Sequence, residues 1–386
     1  MDSKSSTRER YQRKVIEQQI ITNTFSVEWT HQLRCTQHAF RKNGDVDHII
    51  QEFNPPKLLI VIDSGIPEAN GAYVAEVEQW ISETQIAPSE MLIVQGGEKA
   101  KTDNHVVETV LDAINAFGMC RKSVVLAIGG GAMLDAVGFA TSVAHRGLRL
   151  VRMPSTTLSA CDSGVGVKNG INKYNKKNFV GVFDPPCAVI NDYELLLSLD
   201  DRHWFSGMSE VIKVSLVKSP ELYEKIKSAV SAIQNRDLET MARLITDSAT
   251  LHLQHIVDGG DPFERLEARP LDFGHWAAHK LEQMTNHTLT HGEAVSIGLA
   301  IDLQCSVHLG LLQQHVAQDA INLLQQFDLP TSHPMMHQSE LYDGIEEFRE
   351  HLGGRLTILL LENVGKPVEV HELPESIVQQ AIQTLG

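Results

Sequence analysis

The sequence of 386 residues predicts an α/β domain built on an open parallel sheet, followed by a mainly α-helical domain. Three observations carry that prediction. In the first half, apolar runs of strand length alternate with stretches of helical periodicity, the pattern of βα units. The run 124–128 (VVLAI) leads straight into Gly129, Gly130 and Gly131, and then into Met133, Val137, Ala140, Thr141 and Ala144 at helical spacing. Beyond about residue 195 strand signals become rare and helical periodicity dominates. The expected organisation is an arm at 1–22, a sheet domain at 23–195 and a helical domain at 196–386.

Composition narrows the function. A hydrophobic content of 42% with 21% charged residues is globular. No run of eighteen uncharged apolar residues and no apolar signal core is present, so a cytoplasmic protein without membrane spans is expected. A formal charge of −16 argues against extended nucleic-acid or acidic-membrane binding. The five cysteines, Cys35, Cys120, Cys161, Cys187 and Cys305, are widely spaced without a C-x-x-C, which argues for reduced thiols.

Taken in order, residues 25–50 hold short apolar runs that suit edge strands. The first buried strand is 57–63 (KLLIVID), ending in Asp63, where an acidic residue either reads ribose hydroxyls or caps a turn. A helix over 71–84, a strand at 91–94, a glycine turn at 95–101 and a helix through Phe117 follow. The strand at 124–128, its glycine turn and its helix then present a helix N-terminus suited to an anion, with glycine allowing close backbone approach. The turn lacks G-x-G-x-x-G spacing, and similar turns occur without a nucleotide. A strand at 148–153 ends at Pro154, Ser155, Thr156 and Thr157. Residues 162–186 mix glycine and asparagine with Lys168, Lys173, Lys176 and Lys177, which suits either a solvated loop or a phosphate-wrapping pocket. After a strand at 188–192, helices are expected near 204–218, 220–233, 238–257, 272–283, 292–309 and 315–327, with a late strand at 354–362 in a small hairpin.

In the helical half, His275 and His279 stand four apart and share a helix face, with His291, Glu210 and Lys213 elsewhere. Histidines with a glutamate suit a catalytic zinc that keeps an open position. A satisfied core histidine is the competing reading.

Several motifs then coincide in one order: GGExxK (96–101), GGGAxLD (129–135), AHRG (144–147), PSTTL, DSGVGVKNGIN, KKN, GMSEVIK (207–213), RPLDFGHWAAH (269–279) and HGEAVSIG. Together they resemble the sugar phosphate cyclases, the dehydroquinate synthase-like superfamily, over about 63–365. The resemblance implies that Glu210, His275 and His291 bind one divalent metal, zinc or cobalt, with His279 not among its ligands. It implies that Asp63, Glu98, Lys101, Gly130, Gly131, Asp135, Thr156 and Thr157 hold NAD, with help from Asp162. Lys168, Lys177, Asn178, Arg269, Asp272 and His279 would grip a sugar phosphate, and Lys213, His279, Asp162 and Lys168 form the implied catalytic set. Arg146 resembles an arginine that reaches a neighbouring subunit, which implies a homodimer.

The implied chemistry is a phosphate-eliminating ring closure in which NAD is regenerated. The departures point within the family. Asp272 stands where dehydroquinate synthases have asparagine, the position of a carboxylate-binding lysine falls near His255, and FREHLGG (348–354) replaces a basic pair. An added aspartate and lost lysines disfavour a carboxylate substrate. These features resemble the 2-epi-5-epi-valiolone synthase branch, which uses sedoheptulose 7-phosphate, although His279 is present where that branch often differs. The alternatives are a 3-dehydroquinate synthase acting on 3-deoxy-D-arabino-heptulosonate 7-phosphate and a metal-dependent polyol dehydrogenase.

Overall fold

Six strands form a parallel sheet in a computed structural model that describes residues 20–174, 176–259, 262–263, 271–351 and 354–386. The strands are β1 (Gln32–Thr36), β2 (Leu58–Asp63), β3 (Ser89–Val94), β4 (Val124–Gly129), β5 (Arg149–Pro154) and, later in the chain, β8 (Ala188–Asp192), in the order β1-β8-β5-β4-β2-β3. All their pairings are parallel. Burial follows position in the sheet: β2, β4 and β8 are buried along their whole length, whereas the edge strands β1 and β3 are only partly so. Continuous Val, Leu and Ile runs are what a parallel strand covered on both faces requires.

The order of the strands places a crevice. From β2 the chain moves outward to β3, then returns to the other side of β2 to form β4, so the connections after β2 and β4 diverge. That divergence opens a crevice at the carboxyl ends of the two strands, where Asp63 and Gly129 lie.

Two stretches differ from the sequence reading. Of 25–50, only Gln32–Thr36 is a strand; Asp45–Phe53 is a helix that buries Val46, Ile49 and Ile50 and carries Asp45 and Asp47 in its first turn. Asp47 accepts the Trp80 indole N–H at 2.7 Å, which anchors that helix to Gly71–Glu83. The lysine-rich stretch also contains an antiparallel hairpin, β6 (Lys168–Lys173) with β7 (Lys176–Phe183). Its strands close because Gly170 and Gly181 face one another: a Cβ on Gly170 would stand 2.7 Å from the Val180 carbonyl oxygen. Buried Arg152 holds the approach to the hairpin by donating to the carbonyls of Ser163 (2.8 Å) and Lys168 (2.9 Å) and to Asn169 Oδ1 (2.7 Å).

Among the described residues after β8, the strands are the antiparallel pair β9 (Ile358–Asn363) and β10 (Lys366–Val370), and helices supply the other regular structure. Met208–Lys218 and His291–His308 are buried nearly all round, so any ionisable residue on them must find a partner inside. Residues 31–386 form one compact unit, and the last sheet strand ends at Asp192. Residues 20–30 have no regular secondary structure and expose Ile21, Phe25 and Val27. Among the described residues no helix is long and apolar enough to cross a membrane.

His31 supplies a test of this packing. Its Nε2 meets the Val165 carbonyl at 3.1 Å, and burial, with the Arg152 charge nearby, pushes its pKa from 6.5 down to about 4. The folded state therefore holds the proton less tightly than the unfolded chain, so stability present above pH 6.5 is lost as pH falls towards 4. In urea titrations at pH 7 and 4.5, His31→Gln should reduce the drop in unfolding free energy by about 2–3 kcal/mol. An unchanged drop would show that His31 is not the group responsible.

Candidate active site

The site begins at the crevice between β2 and β4. Asp63 is 8% exposed and accepts the backbone N–H of Gly65 at 2.9 Å and of Gly130 at 3.4 Å. Burial raises its pKa, and those two hydrogen bonds oppose the rise. Gly96 has no room for a side chain, since a Cβ there would lie 1.8 Å from Asp63 Oδ1. Gly130 is the N-cap of helix Gly131–Val143 and has extended backbone; a Cβ on Gly131 would lie 2.4 Å from Ser163 Oγ. A helix start, small residues and one carboxylate thus meet at the mouth of the crevice, an arrangement that suits a dinucleotide.

The other residues assigned to NAD are held nearby by contacts of their own. Lys101 Nζ meets Asp135 Oδ2 at 2.7 Å, and Asp135 also lies 3.9 Å from buried Arg152. Glu98 accepts the Asn172 side-chain amide at 2.7 Å. Thr156 caps helix Thr157–Cys161 through a reciprocal bond with Ser159. The Thr157 hydroxyl donates to the His203 carbonyl (2.8 Å) and accepts the Gly207 N–H (3.1 Å), tying the sheet half to the start of Met208–Lys218.

In the helical half, one ligand atom each from Glu210, His275 and His291 fall within 4.8 Å of one another. Glu210 is fully buried and its Oε1 accepts no hydrogen bond from the described residues. His275 Nδ1 lies 3.1 Å from the Phe273 carbonyl and must donate to it, which leaves Nε2 free, 3.6 Å from Glu210 Oε1. His291 Nδ1 meets Glu282 Oε2 at 3.1 Å, so its Nε2 is likewise left as a lone-pair donor. Burial, reinforced by the Lys213 charge, drives His275 well below its ordinary pKa and keeps it neutral. One buried carboxylate and two neutral-capable imidazoles with oriented tautomers make a donor set that fits a divalent transition metal.

Charged residues surround the triad. Lys213 is buried against Glu210; burial works to lower its pKa, but Glu210 and Asp162 outweigh that and keep the ammonium charged. Asp162 is held far below the usual carboxylate range, because the Lys213 charge and His252 overcome its burial. The charge of Asp272, a half-buried residue just before the helix His275–Met284, also bears on Lys213. The ring of His279 lies 5.4 Å from that of His275 and 5.9 Å from that of His291. His279, Glu282 and His291 form a second close group, but Glu282 is already engaged by Lys177 at 2.6 Å as well as by His291.

The basic hairpin joins the two halves. Lys177 reaches Glu282 beneath the triad and lies 3.8 Å from Glu98 of the sheet half. Lys168 and Asn178 are exposed on β6 and β7, and the Asn178 N–H donates to Asn172 Oδ1 at 3.0 Å. Arg146 is exposed on a turn where His145, Arg146 and Gly147 all have positive φ (52°, 65° and 109°). Arg269 lies outside the described residues.

Three residues absent from the sequence reading belong here. Glu282 orients His291, and its place seven residues after His275 put it on the same helix face. His252, rather than His255 one turn later, lies against Asp162 at 3.2 Å; His255 Nδ1 faces Lys218 Nζ at 3.3 Å. Buried Asp302 accepts the Gly274 N–H and the Trp276 indole N–H, both at 2.8 Å, and burial lifts its pKa to about 7.

Comparison with known proteins points to one family. Residues 91–206 match the family profile described as 3-dehydroquinate synthase N-terminal, and 207–349 match 3-dehydroquinate synthase C-terminal. A 3-dehydroquinate synthase from Halorhodospira halophila is 31% identical over 84% of this chain and 94% of its own. A 2-epi-valiolone synthase from Actinosynnema mirum is 29% identical over 88% of each. A solved structure of the 2-epi-5-epi-valiolone synthase ValA from Streptomyces hygroscopicus subsp. jinggangensis, with NAD+ and Zn2+ bound, superposes with a TM-score of 0.86 and 26% identity, covering 95% of this chain and 99% of that one.

Proposed function

The chain belongs to the 3-dehydroquinate synthase family of sugar phosphate cyclases, and on that premise we propose that it converts sedoheptulose 7-phosphate to a valiolone-type cyclitol with loss of phosphate. The observation that carries the choice of substrate is Asp272, a carboxylate placed ahead of the His275 helix where its charge reaches Lys213. A second negative charge there repels a substrate carboxylate and accepts hydrogen bonds from a hydroxymethyl group.

Asp63, Glu98, Lys101, Gly130, Gly131, Asp135, Thr156 and Thr157 are proposed to form the NAD site, and Glu210, His275 and His291 the site of one zinc or cobalt ion. NAD supplies reversible hydride acceptance, and the divalent ion supplies Lewis acidity that makes a carbinol or ketone proton easier to remove. The chain's own residues do the rest. Lys213, charged and buried, stabilises negative charge that develops on substrate oxygens. Asp162 stays ionised beside it, and His279 stands beside the metal-site histidines as a candidate proton carrier. Lys168, Lys177, Asn178 and Arg269 are proposed to hold the phosphate, so that it lies close to the proton whose loss releases it. Arg146 is proposed to enter the corresponding site of a second subunit, in a cytoplasmic homodimer.

Net redox change separates this reading from a polyol dehydrogenase. With sedoheptulose 7-phosphate, inorganic phosphate should accumulate while reduced nicotinamide does not; steady accumulation of reduced nicotinamide from an unphosphorylated polyol would refute the cyclase reading. Cofactor choice gives another test. Asp63 should accept ribose hydroxyls and repel a 2′-phosphate, so calorimetry should find NAD bound at least about tenfold more tightly than NADP. Tighter binding of NADP would remove Asp63 from that role.

A further inference from the structure

We propose that Asp302 is a positioning residue for His275, acting through the peptide unit between Phe273 and Gly274. Asp302 lies on His291–His308 and is completely buried. Its Oδ2 accepts the Gly274 N–H at 2.8 Å, and its Oδ1 accepts the Trp276 indole N–H at 2.8 Å. The carbonyl of that same Phe273–Gly274 peptide accepts the His275 Nδ1–H at 3.1 Å. The result is a continuous line from carboxylate to peptide to imidazole, ending at His275 Nε2, which faces Glu210.

The physical effect runs along that line. A peptide whose N–H is drawn to a carboxylate carries more negative charge on its carbonyl oxygen, which strengthens the bond to Nδ1–H. A stronger bond at Nδ1 fixes the tautomer and makes Nε2 the better donor, as a directly bonded carboxylate does for a metal-bound histidine. Here the peptide unit is interposed.

Backbone packing holds the peptide against the helix that carries Asp302. Gly274 has a φ of +79°, and a Cβ there would stand 2.7 Å from the Leu299 nitrogen. A Cβ on Gly298 would stand 2.0 Å from the Gly274 carbonyl oxygen. Asp302 therefore links the helix that starts at His275 to the one that starts at His291, and the relative placement of the two imidazoles depends on it.

The proposal rests on His275 being a metal ligand, and cobalt(II) is the probe. By chelator competition at pH 8, Asp302→Asn should bind cobalt about 10–100-fold more weakly than the unaltered chain. Trp276→Phe, which removes the indole donor and some buried ring volume but leaves the peptide link, should change the affinity less than about threefold. In the unaltered, metal-free protein, nitrogen-15 NMR should show His275 protonated at Nδ1, its signals identified by their loss in His275→Gln. Failure of the unaltered chain to bind cobalt would overturn the metal reading and this proposal with it. Equal affinity in Asp302→Asn would overturn this proposal alone. An Nε2–H tautomer at His275 would do the same, whether or not Asp302→Asn folds.

Discussion

Replacing His275 with alanine is expected to abolish metal binding and phosphate release together. His275 contributes one of three donors that meet within 4.8 Å, and the other two, Glu210 and His291, are too few to hold a catalytic ion in a stable open geometry. Lewis acidity supplies several kcal/mol to the reaction, so kcat should fall on the order of a thousandfold or more. His279→Ala is the control. Glu282, which would have to complete a site with His279, is taken up by Lys177 and His291, so this variant should retain its metal while losing activity. Elemental analysis of the two purified variants beside the unaltered protein reads the difference. Loss of metal from His279→Ala with retention in His275→Ala would move the ion to the other histidine pair.

Asp272→Asn is expected to change substrate preference with little effect on metal content. Its charge acts on buried Lys213 beside the proposed metal site. Removing one misplaced charge in a partly buried pocket is worth a few kcal/mol, or roughly a hundredfold in the ratio of kcat/KM values. The ratio of turnover on 3-deoxy-D-arabino-heptulosonate 7-phosphate to turnover on sedoheptulose 7-phosphate should rise by about that factor. A constant ratio would mean that another residue discriminates.

The parts of this site that could be read from the sequence are those whose chemistry is written locally. Continuous apolar runs mark β2 and β4, because buried parallel strands have no exposed face to alternate with. The glycine turn after β4 is visible because close packing favours the smallest residue: a Cβ on Gly129 would stand 2.8 Å from the Met133 methyl, and one on Gly131 2.4 Å from Ser163 Oγ. The hairpin β6–β7 was obscured because lysines and asparagines spend their side chains on ion pairs and hydrogen bonds with distant partners, Lys177 on Glu282 and Asn172 on Glu98. Residues 45–53 were ambiguous because a nine-residue helix offers few turns of periodicity. His252 and Asp302 carried no local signal, since each acts on a residue ninety or twenty-eight positions away. Glu282 did carry one, through its spacing from His275 and His279.

The proposed metal triad, the crevice and the hairpin do not by themselves choose a substrate, so the central claim concerns which sugar phosphate turns over. The direct measurement is inorganic phosphate release from sedoheptulose 7-phosphate and from 3-deoxy-D-arabino-heptulosonate 7-phosphate by the same enzyme with NAD and zinc or cobalt, followed by NMR of the product. Rapid release from sedoheptulose 7-phosphate with a carbocyclic, valiolone-type product, and little or none from the deoxy acid, is the expected result. Preference for the deoxy acid, with dehydroquinate as product, would contradict it and show that Asp272 does not exclude a carboxylate.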